Sequence, residues 1–458
     1  MQPHHLHILG ICGTFMAGIA TIARELGHRV TGSDQQAYPP MSDLLAAAGI
    51  DIQLGYDPAH LHPTPDYVVI GNALTRGNPA VEFVLNNGLP YISGPDWLAR
   101  HVLSQRHVLS VAGTHGKTTG SSMLAWILDH AGLNPGFLIG GRPQNFGLSA
   151  RLGGDAYFVV EADEYDTAFF DKRSKFVHYR TNTLVINNVE YDHADIFPDI
   201  ESIHRQFHHV VRTIPSQGHI VRPRSDPEID TILNMGCWSK VRTFGVGDDA
   251  NAISDLHAKL IKPDGSHFAV YGGGACADVD WSQFGTHNVL NALAAINAAQ
   301  CVGVSLEQAA DALNAFAGVS RRLEVRARVS GVTVYDDFAH HPTAIAATID
   351  ALRHRIPTDH RLIAVVEARS NTMRLGVHED TLGPSLASAD RVFSIDSDDW
   401  SVAKSLAGLG SKAQVFASTD KLLAAMVETA GDGDHFLIMS NGSFDGLHRR
   451  FIERLEAR

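Results

Sequence analysis

The sequence predicts an α/β protein of three domains, each with a mostly parallel sheet covered by helices. Strand-like and helix-like segments alternate along the whole chain, which is the pattern of parallel α/β layers. The length of 458 residues is too great for one hydrophobic core and indicates about three domains. Glycine-rich turns follow predicted strands near the start of the first two domains, as in nucleotide-binding folds. We place the boundaries near residues 105 and 318, giving segments 1–105, 106–318 and 319–458.

The N-terminal segment opens with a βαβ pattern. In "LHILGICGTFMAGIATIARELGHRVTGSD" a strand, a glycine-rich turn and an amphipathic helix precede a second strand that ends at Asp34. This is the plan of a Rossmann-like dinucleotide-binding unit. The turn carries Gly10, Gly13 and Gly18 rather than G-x-G-x-x-G, which argues against a nicotinamide-dependent dehydrogenase. The glycines indicate either a diphosphate site, with Asp34 facing a ribose or base, or simply tight packing of strand against helix.

The central segment opens with "HVLSVAGTHGKTTG", an apolar strand followed by a glycine turn and the start of a helix. Gly113 and Gly116 allow the backbone to curl around phosphates, Lys117 can reach terminal phosphates, and Thr118 can offer its hydroxyl to Mg²⁺. The common pattern G-x-x-x-x-G-K-[ST] has glycine where this chain has Val111. The segment therefore predicts a phosphate-binding loop of another kind. The alternative is a strand-turn-helix joint capped by threonine.

Two further apolar strands of the central segment end in polar residues, "AYFVVEADEYD" at 156–166 and "LVINNVEYDHADIF" at 184–197. Ligands bind at the carboxyl ends of parallel strands, so both polar ends are expected beside the phosphate loop. Glu161 can ligate Mg²⁺ through oxygen, and His193 can bind a second divalent ion or contact a phosphate. Three other acidic residues follow the same strand: Asp163, Glu164 and Asp166. At least one of them is equally well explained as part of a solvated acidic loop.

The C-terminal segment carries the strand patterns "RLIAVVEAR" and "DHFLIMSNGS", which predict a third sheet. The composition excludes several classes of protein. A formal charge of −13 argues against nucleic-acid binding through phosphate contacts. The chain has no run of about 18 apolar residues, so we expect no membrane span. Its start lacks a secretory signal and its four cysteines form no C-x-x-C pair, which predicts a cytoplasmic protein. We expect a monomer or a weak homo-oligomer.

Six motifs occur in the order and spacing of the Mur ligase family, which the chain resembles over essentially its whole length: "GTHGKTT", "EADEYD", "NNVEYDHAD", "GTHNVLNALAA", "SRRLEV" and "YDDFAHHP". Members of that family use ATP to join amino acids or peptides to UDP-N-acetylmuramic acid. The resemblance implies a Rossmann-like UDP-substrate domain, a central P-loop-type ATPase domain and a Rossmann-like C-terminal domain that binds the incoming amine. The family uses the shortened loop G-T-x-G-K-T, which accounts for Val111.

Within the family, "ILGICGTFMAG" and "GSDQQAYPPMS" resemble the members that act on UDP-N-acetylmuramate itself. One such member adds L-alanine. Another, of cell-wall recycling, adds the tripeptide L-alanyl-γ-D-glutamyl-meso-diaminopimelate. Five segments resemble the second member: "GTFMAG", "AYPPMS", "GGRPQNFGLSARLG", "EARSNTMRLG" and "MSNGSFDGLH". We therefore expect the tripeptide as substrate, with the L-alanine ligase as the main alternative.

The resemblance also implies residue roles at the nucleotide. Seven residues would cradle the ATP phosphates: Gly113, Thr114, His115, Gly116, Lys117, Thr118 and Thr119. Thr118 and Glu161 would hold one Mg²⁺ and His193 a second, and Lys117 would stabilise the transferred phosphoryl group. Further nucleotide contacts would come from Asn288 and Asn291 at the adenine, Arg322 at the domain joint and Asp337 at the ribose.

Other roles concern the two acceptor substrates. His115 would contact the lactyl carboxylate or a phosphate. Four residues would line the UDP pocket: Gly13, Thr14, Asp34 and Asn72. Four others would meet the peptide or the sugar acid: Arg369, Ser370, Asn371 and Thr372.

The chain departs from several Mur ligases at one point. Those relatives carry a carbamylated lysine in the helix after the Asp-His motif, whereas "IESIHRQFHHVV" has no lysine, so the second ion must use other ligands. Two further alternatives fit the sequence less well. A folate polyglutamate synthase shares the loop but lacks a domain like residues 1–105. A non-catalytic nucleotide sensor would not need Glu161 and His193 together.

Overall fold

The computed structural model describes residues 3–37, 41–247, 254–396 and 400–458. Its strands form three large sheets that follow one another along the chain, together with one short hairpin. Parallel pairs predominate in the large sheets, so the predicted α/β class is confirmed. We call each sheet with its helices the N-terminal, central or C-terminal unit.

The N-terminal unit is an all-parallel sheet of the order β3-β2-β1-β4-β5. Its elements are β1 (His5–Leu9), α1 (Thr14–Glu25), β2 (Arg29–Asp34), α2 (Met41–Ala47), β3 (Ile52–Leu54), β4 (Tyr67–Ile70), α3 (Pro79–Asn86), β5 (Tyr91–Ser93) and α4 (Gly94–His101). The predicted βαβ plan is confirmed in β1, α1 and β2. Gly10 in the intervening turn has φ of +80°, a backbone conformation that glycine adopts readily.

The central unit has a mixed sheet of the order β17-β16-β15-β14-β13-β12-β6-β9-β7-β8. Its elements are β6 (His107–Ala112), α5 (Lys117–His130), β7 (Gly136–Leu138), β8 (Ala150–Arg151), β9 (Tyr157–Ala162), the hairpin β10 (Asp166–Ala168) and β11 (Asp171–Ser174), β12 (Thr183–Ile186), α6 (Ile200–Val211), β13 (His219–Pro223), α7 (Pro227–Asn234), β14 (Lys240–Val246), β15 (Leu256–Leu260), β16 (His267–Gly272), β17 (Ala275–Asp280), α8 (Thr286–Gln300) and α9 (Leu306–Asn314).

Three strands at the middle of the central sheet position the candidate site. β6 lies between β12 and β9 and is parallel to both, so the three carboxyl ends reach the same edge. These strands are almost wholly buried, because helices cover both faces of the sheet. The expectation that both polar strand ends lie beside the phosphate loop is therefore confirmed.

The C-terminal unit has a sheet of the order β18-β19-β23-β20-β21-β22, antiparallel only at its β18 edge. Its elements are β18 (Glu324–Val329), β19 (Val332–Asp337), α10 (Pro342–Arg353), β20 (Leu362–Val366), α11 (Asn371–Arg374), α12 (Glu379–Ser385), β21 (Arg391–Ile395), α13 (Val402–Leu406), β22 (Ala413–Phe416), α14 (Thr419–Thr429), β23 (His435–Met439) and α15 (Leu447–Glu456). The two strands predicted in this segment are β20 and β23.

The three units are joined differently. A single apolar cluster runs through the N-terminal and central units, whereas the two clusters of the C-terminal unit take in only Phe284 from outside it. The predicted boundaries near 105 and 318 fall between α4 and β6 and between α9 and β18, and they remain predictions. Within the described ranges, we find no helix long and apolar enough to cross a membrane. The four cysteines are unpaired.

Candidate active site

The glycine loop after β6 has a conformation that its sequence requires. Gly113 and Gly116 have φ of +136° and +78°, which side chains disfavour. A Cβ at Gly113 would lie 3.0 Å from the Asn188 carbonyl oxygen, and one at Gly116 only 2.3 Å from Asn291 Oδ1. α5 begins directly after the loop at Lys117, so its first N–H groups face the edge where β6 ends. Such a helix start attracts phosphate groups.

Lys117 is paired with Glu164, a carboxylate for which the sequence alone also allows a place in a solvated loop. Its Nζ donates to Glu164 Oε2 at 2.7 Å, and His193 Nε2 lies 3.1 Å from Glu164 Oε1. The Glu164 side chain is only 3% exposed, so the explanation as a solvated loop is wrong for this residue. The physical reason is charge compensation: Lys117 and His193 together stabilise a carboxylate that burial alone would disfavour.

The electrostatics of this group follow from burial and pairing. Burial alone would raise the pKa of Glu164, but Lys117 and His193 lower it. Burial alone would lower the pKa of Lys117, yet the Glu164 and Asp163 carboxylates raise it. The pKa of His193 is raised in the same way, since Glu164 and Asp192 outweigh the effect of burial. Lys117 therefore keeps its positive charge at the loop, as a phosphate-binding ammonium requires.

A second arrangement is suited to Mg²⁺. The Thr118 hydroxyl donates to Glu161 Oε1 at 2.9 Å, and the Gly140 N–H donates to Glu161 Oε2 at 2.6 Å. A Cβ at Gly140 would lie 3.0 Å from both carboxylate oxygens, so glycine leaves them room. Burial raises the pKa of Glu161. A carboxylate and a hydroxyl beside a phosphate loop are hard oxygen donors, and they fit a divalent cation of the Mg²⁺ type.

The residues predicted to contact the nucleoside lie around the same loop. Arg322 donates to the Thr118 hydroxyl at 3.1 Å and lies over the Phe338 ring at 4.8 Å. Asn291 Oδ1 accepts from Asn187 Nδ2 at 2.8 Å beside Gly116. Asn288, one turn earlier in α8, donates to the Phe284 carbonyl. The structure therefore brings Asn291 and Arg322 to the loop.

Asp337 is buried at the end of β19. Its two carboxylate oxygens accept from the N–H groups of Leu323 and Ala339, each at 2.7 Å. Burial raises its pKa. Its contact with a ribose remains a prediction, as do the nucleoside roles of Asn288, Asn291 and Arg322.

The predicted UDP-pocket residues lie at the carboxyl edge of the first sheet. Asp34 ends β2 and accepts from the Cys12 N–H at 2.8 Å; Gly13 and Thr14 form the start of α1. Asn72 is half-buried in the turn after β4. A cavity of about 450 Å³ lies beside Asp34, lined by Gln35, Tyr56, Asp57, Pro58, Asn78 and Pro79. Residues 38–40 of the motif "AYPPMS" lie outside the described residues.

The predicted peptide-binding residues do not all face open space. The Thr372 hydroxyl donates to Asp192 Oδ1 at 2.6 Å, and Asn371 donates to Asp195 Oδ2 at 2.9 Å. Ser370 caps α11. The Arg369 guanidinium lies against Gly442. A Cβ added at Gly442 would be only 2.3 Å from Arg369 Nη1. Thr372 and Asn371 thus contact the central unit in this arrangement of the chain.

Sequence reasoning missed several residues that the fold brings to the site. Glu190 Oε2 lies 3.5 Å from His115 Nε2 and 3.5 Å from His341 Nδ1, and it accepts from the Thr343 hydroxyl at 2.7 Å. Asp192, beside His193, accepts the hydroxyl of Thr372. The signal was available, since Glu190 and Asp192 follow β12 and His341 follows β19. All three occupy strand ends of the kind from which Glu161 was chosen.

Comparison with known proteins places these features in a family. Three models match successive parts of the chain: the catalytic domain of the Mur ligase family at residues 5–106, the Mur ligase middle domain at 111–299 and the glutamate ligase domain of Mur ligases at 321–442.

Individual proteins match over nearly the full length. The UDP-N-acetylmuramate–L-alanyl-γ-D-glutamyl-meso-2,6-diaminoheptandioate ligase of Haemophilus influenzae is 51% identical and covers 99% of both chains. The crystal structure of a murein peptide ligase from Psychrobacter arcticus matches with a TM-score of 0.77 at 46% identity, covering 99% of both chains. The UDP-N-acetylmuramate–L-alanine ligase of Rubrobacter xylanophilus is 32% identical, covering 93% of this chain and 89% of that protein.

Proposed function

This chain belongs to the Mur ligase family, and from that premise we propose that it joins L-alanyl-γ-D-glutamyl-meso-diaminopimelate to UDP-N-acetylmuramate. It is a ligase of the acid–amine type, and its family uses ATP, generally with Mg²⁺. The product is an amide between the lactyl carboxyl group of the sugar and the α-nitrogen of the peptide. Such a reaction returns cell-wall peptides to precursor synthesis.

One observation carries the choice of substrate. Identity to the tripeptide ligase of Haemophilus influenzae is 51% over nearly the full length, against 32% to the L-alanine ligase of Rubrobacter xylanophilus. The two enzymes differ in the incoming amine, so the higher identity over nearly the whole chain favours the longer substrate. The motifs "EARSNTMRLG" and "MSNGSFDGLH" belong to the C-terminal unit.

The phosphate loop supports a first step in which the sugar carboxylate becomes an acyl phosphate. The lactyl oxygen forms a bond to the γ-phosphorus of ATP, and the bond to the bridging oxygen breaks with its electron pair leaving on ADP. Lys117 would stabilise the charge on the transferred group from the loop, and Arg322 would do so from the C-terminal unit. Both side chains lie around Thr118 and Glu164 in the folded chain.

Divalent ions would neutralise the phosphate oxygens and align them for the in-line transfer. The oxygens of Thr118 and Glu161 would hold one ion. We propose a second ion at His193 with Glu164, since the helix after the Asp-His motif, α6, has no lysine to carbamylate. Asp163 lies close enough to complete that set.

The second step joins the peptide to the acyl phosphate. The peptide nitrogen attacks the acyl carbon, and the carbon–oxygen bond to phosphate breaks with its electron pair on the departing phosphate. Two protons leave the nitrogen over the reaction, one of which ends on the phosphate. We propose that the UDP group occupies the cavity beside Asp34 and that the peptide approaches from the segment Arg369 to Thr372.

The substrates also indicate where the protein works. ATP and UDP-linked sugars are cytoplasmic metabolites, so we propose a cytoplasmic enzyme. We propose that it acts as a monomer or weak homo-oligomer.

The test is phosphate release from ATP in the presence of UDP-N-acetylmuramate, comparing the tripeptide with L-alanine. We expect a ratio of kcat/KM well above one in favour of the tripeptide, because contacts remote from the reacting nitrogen help to position it. A ratio below one would assign the chain to the L-alanine ligases.

Two variants tie that activity to the loop. Lys117→Ala should lower kcat about 10²–10³-fold, whereas Lys172→Ala, an exposed lysine paired with Asp166, should not change it. Glu161→Ala should raise the Mg²⁺ concentration needed for half-maximal activity. Normal turnover in the Lys117 variant would remove the loop from the mechanism.

A further inference from the structure

A cluster of histidines around one carboxylate lies between the central and C-terminal units. His115 and Glu190 come from the central unit, and His341 and His378 come from the C-terminal unit. The His115 and His341 rings are 4.6 Å apart, and the His341 and His378 rings are 4.5 Å apart. One ligand atom each of His115, Glu190 and His341 lies within 4.8 Å of the others. We call these four residues the His–Glu cluster.

The His–Glu cluster contains hydrogen-bonding atoms that the described residues do not use. His115 Nε2 and His378 Nε2 are buried and make no hydrogen bond to any described residue. Glu190 accepts from the Thr343 hydroxyl at 2.7 Å through Oε2, and a carboxylate has about four acceptor positions. Buried polar atoms of this kind are normally paired, so the cluster is suited to a ligand that donates hydrogen bonds.

The charge state of the cluster favours a cation. Burial alone would raise the pKa of Glu190, but contacts with His115, Thr343 and His341 lower it to about 2. Burial, with the charges of His115 and His378, lowers the pKa of His341 to about 3. At neutral pH the cluster therefore presents an ionised carboxylate, which accepts from a positively charged donor, and His341 adds no positive charge beside it.

We propose that the His–Glu cluster binds the α-ammonium group of the incoming peptide, with Glu190 and His115 as its hydrogen-bond acceptors. This inference rests on the proposed ligation of a peptide amine. A nitrogen at the usual distance of about 2.9 Å from each acceptor fits atoms spaced as these are. His115 belongs to the phosphate loop, two residues before Lys117, so an amine held there lies next to the acyl phosphate. His341 and His378 close the site from the C-terminal unit.

A metal ion is a poorer match for the same residues. A metal would need the single lone pair of His341 Nδ1, which accepts the Thr343 N–H at 3.3 Å as the cap of α10. An ammonium group needs only Glu190 and His115. The site is complete only when the C-terminal unit is docked, because Thr343 and His341 both contact Glu190. Binding of the peptide amine is thereby coupled to docking.

Glu190→Gln tests the proposal with two nucleophiles that differ in charge. The tripeptide amine is largely protonated at neutral pH, whereas hydroxylamine is uncharged there and also attacks acyl phosphates. Phosphate release is measured with each nucleophile in the presence of ATP and UDP-N-acetylmuramate. We expect the ratio of tripeptide to hydroxylamine kcat/KM to fall about 10- to 150-fold in the variant, the range for a hydrogen bond to a charged group. His354→Ala, an exposed histidine at the end of α10, should leave the ratio unchanged.

A binding measurement covers the case in which turnover is too low to follow. Calorimetry compares the tripeptide with its des-amino analogue, in which propionyl replaces L-alanyl, using a non-hydrolysable ATP analogue and UDP-N-acetylmuramate. Wild type should bind the tripeptide at least tenfold more tightly than the analogue, and Glu190→Gln should bind the two alike. Equal discrimination in variant and wild type would overturn the proposal. An unchanged ratio of tripeptide to hydroxylamine kcat/KM would also overturn it. If the Glu190→Gln variant in addition lost one bound Zn²⁺ per chain, the cluster would be a metal site instead. Failure of wild type to use the tripeptide at all would instead overturn the proposed function.

Discussion

The central unit meets its N-terminal neighbour through apolar surface and its C-terminal neighbour through polar contacts. At the first joint, α1 lies so close to the central sheet that a Cβ on Gly18 would be 2.1 Å from Leu138 Cδ1 and 3.2 Å from Ala150 Cβ. The apolar cluster is continuous there, from Ile19 and Trp97 to Phe158. Separating these surfaces would expose buried hydrocarbon to water, which is unfavourable.

The second joint is held by hydrogen bonds and ion pairs. Arg322 donates to Thr118, Thr343 to Glu190 and Thr372 to Asp192. Such contacts exchange readily with water, so each contributes only about 0.5–3 kcal/mol net. From this comparison we expect the N-terminal and central units to move together and the C-terminal unit to open and close against them. The predicted ligand-binding groups lie on both sides of the second joint, as expected for an enzyme that admits three substrates and then excludes water.

The largest expected effect comes from removing a charge that crosses the second joint. Arg322→Ala deletes the guanidinium that contacts Thr118 beside the phosphate loop. We expect kcat/KM for ATP to fall by the equivalent of about 2–4 kcal/mol, the range for truncating one partner of a desolvated polar pair. The melting temperature should stay within a few degrees of wild type. Arg326→Ala, on an exposed part of β18, is the matched control and should keep full activity.

The next effect concerns the first joint and should appear in stability. Gly18→Val adds side-chain atoms where Leu138 and Ala150 leave no space, so either the Leu138 side chain or the two units must shift. Overpacking of this kind costs about 1–3 kcal/mol, measured as the free energy of unfolding in urea. Gly408→Val adds the same atoms where no other heavy atom lies within 4 Å and should cost much less. Equal losses in both variants would show that the first joint is not tightly packed.

A smaller effect is expected from one hydrogen bond of the second joint. Thr372→Val keeps the shape of the side chain but removes the hydroxyl that donates to the buried Asp192. Closure should weaken by about 1–2 kcal/mol, which raises KM for the peptide and increases the radius of gyration measured with a nucleotide analogue bound. Asn371→Ala, which removes a more exposed bond to Asp195, should have less effect. A change in unfolding free energy without a change in KM would mean that Thr372 serves stability alone.

The smallest effect belongs to an ion pair at the rim of the second joint. Arg355 lies 2.9 Å from Asp264 and is 41% exposed. Arg355→Gln should change closure by about 0.2–1 kcal/mol at low salt. The difference should shrink when the ionic strength is raised to 1 M, because the screening length is then about 3 Å. An effect that persists at high salt would indicate that the contact of Arg355 with the Phe284 ring matters more than its ion pair with Asp264.

Sequence patterns predict the sheets and part of the site. Why one residue can be identified from the sequence and another cannot differs from case to case. Glu161 was identified because it follows a buried strand directly, and the phosphate loop because glycine, lysine and threonine occur together between a strand and a helix. Glu164 was left open because an acidic side chain in a strand-end loop has the same sequence signal whether it is solvated or buried. Its burial depends on Lys117, 47 residues away in the chain.

The residues of the second joint were missed for a related reason. The places of Glu190 and His341 after strands can be read from the sequence, but their contact with each other depends on how two sheets dock. No local periodicity reports how one unit is oriented on another. The same limit applies to Thr372, which was predicted to meet a substrate and donates to Asp192 of the central unit.

The bond between Lys117 and Glu164 also affects which anions can bind at the phosphate loop. An incoming phosphate must compete with a carboxylate that already lies 2.7 Å from the lysine ammonium and is shared with His193. A single phosphate group brings about 1.5 to 2 negative charges, whereas a triphosphate with its cations adds several contacts along the loop at once. We therefore expect a triphosphate to displace Glu164 from the lysine more readily than inorganic phosphate or a nucleoside monophosphate does.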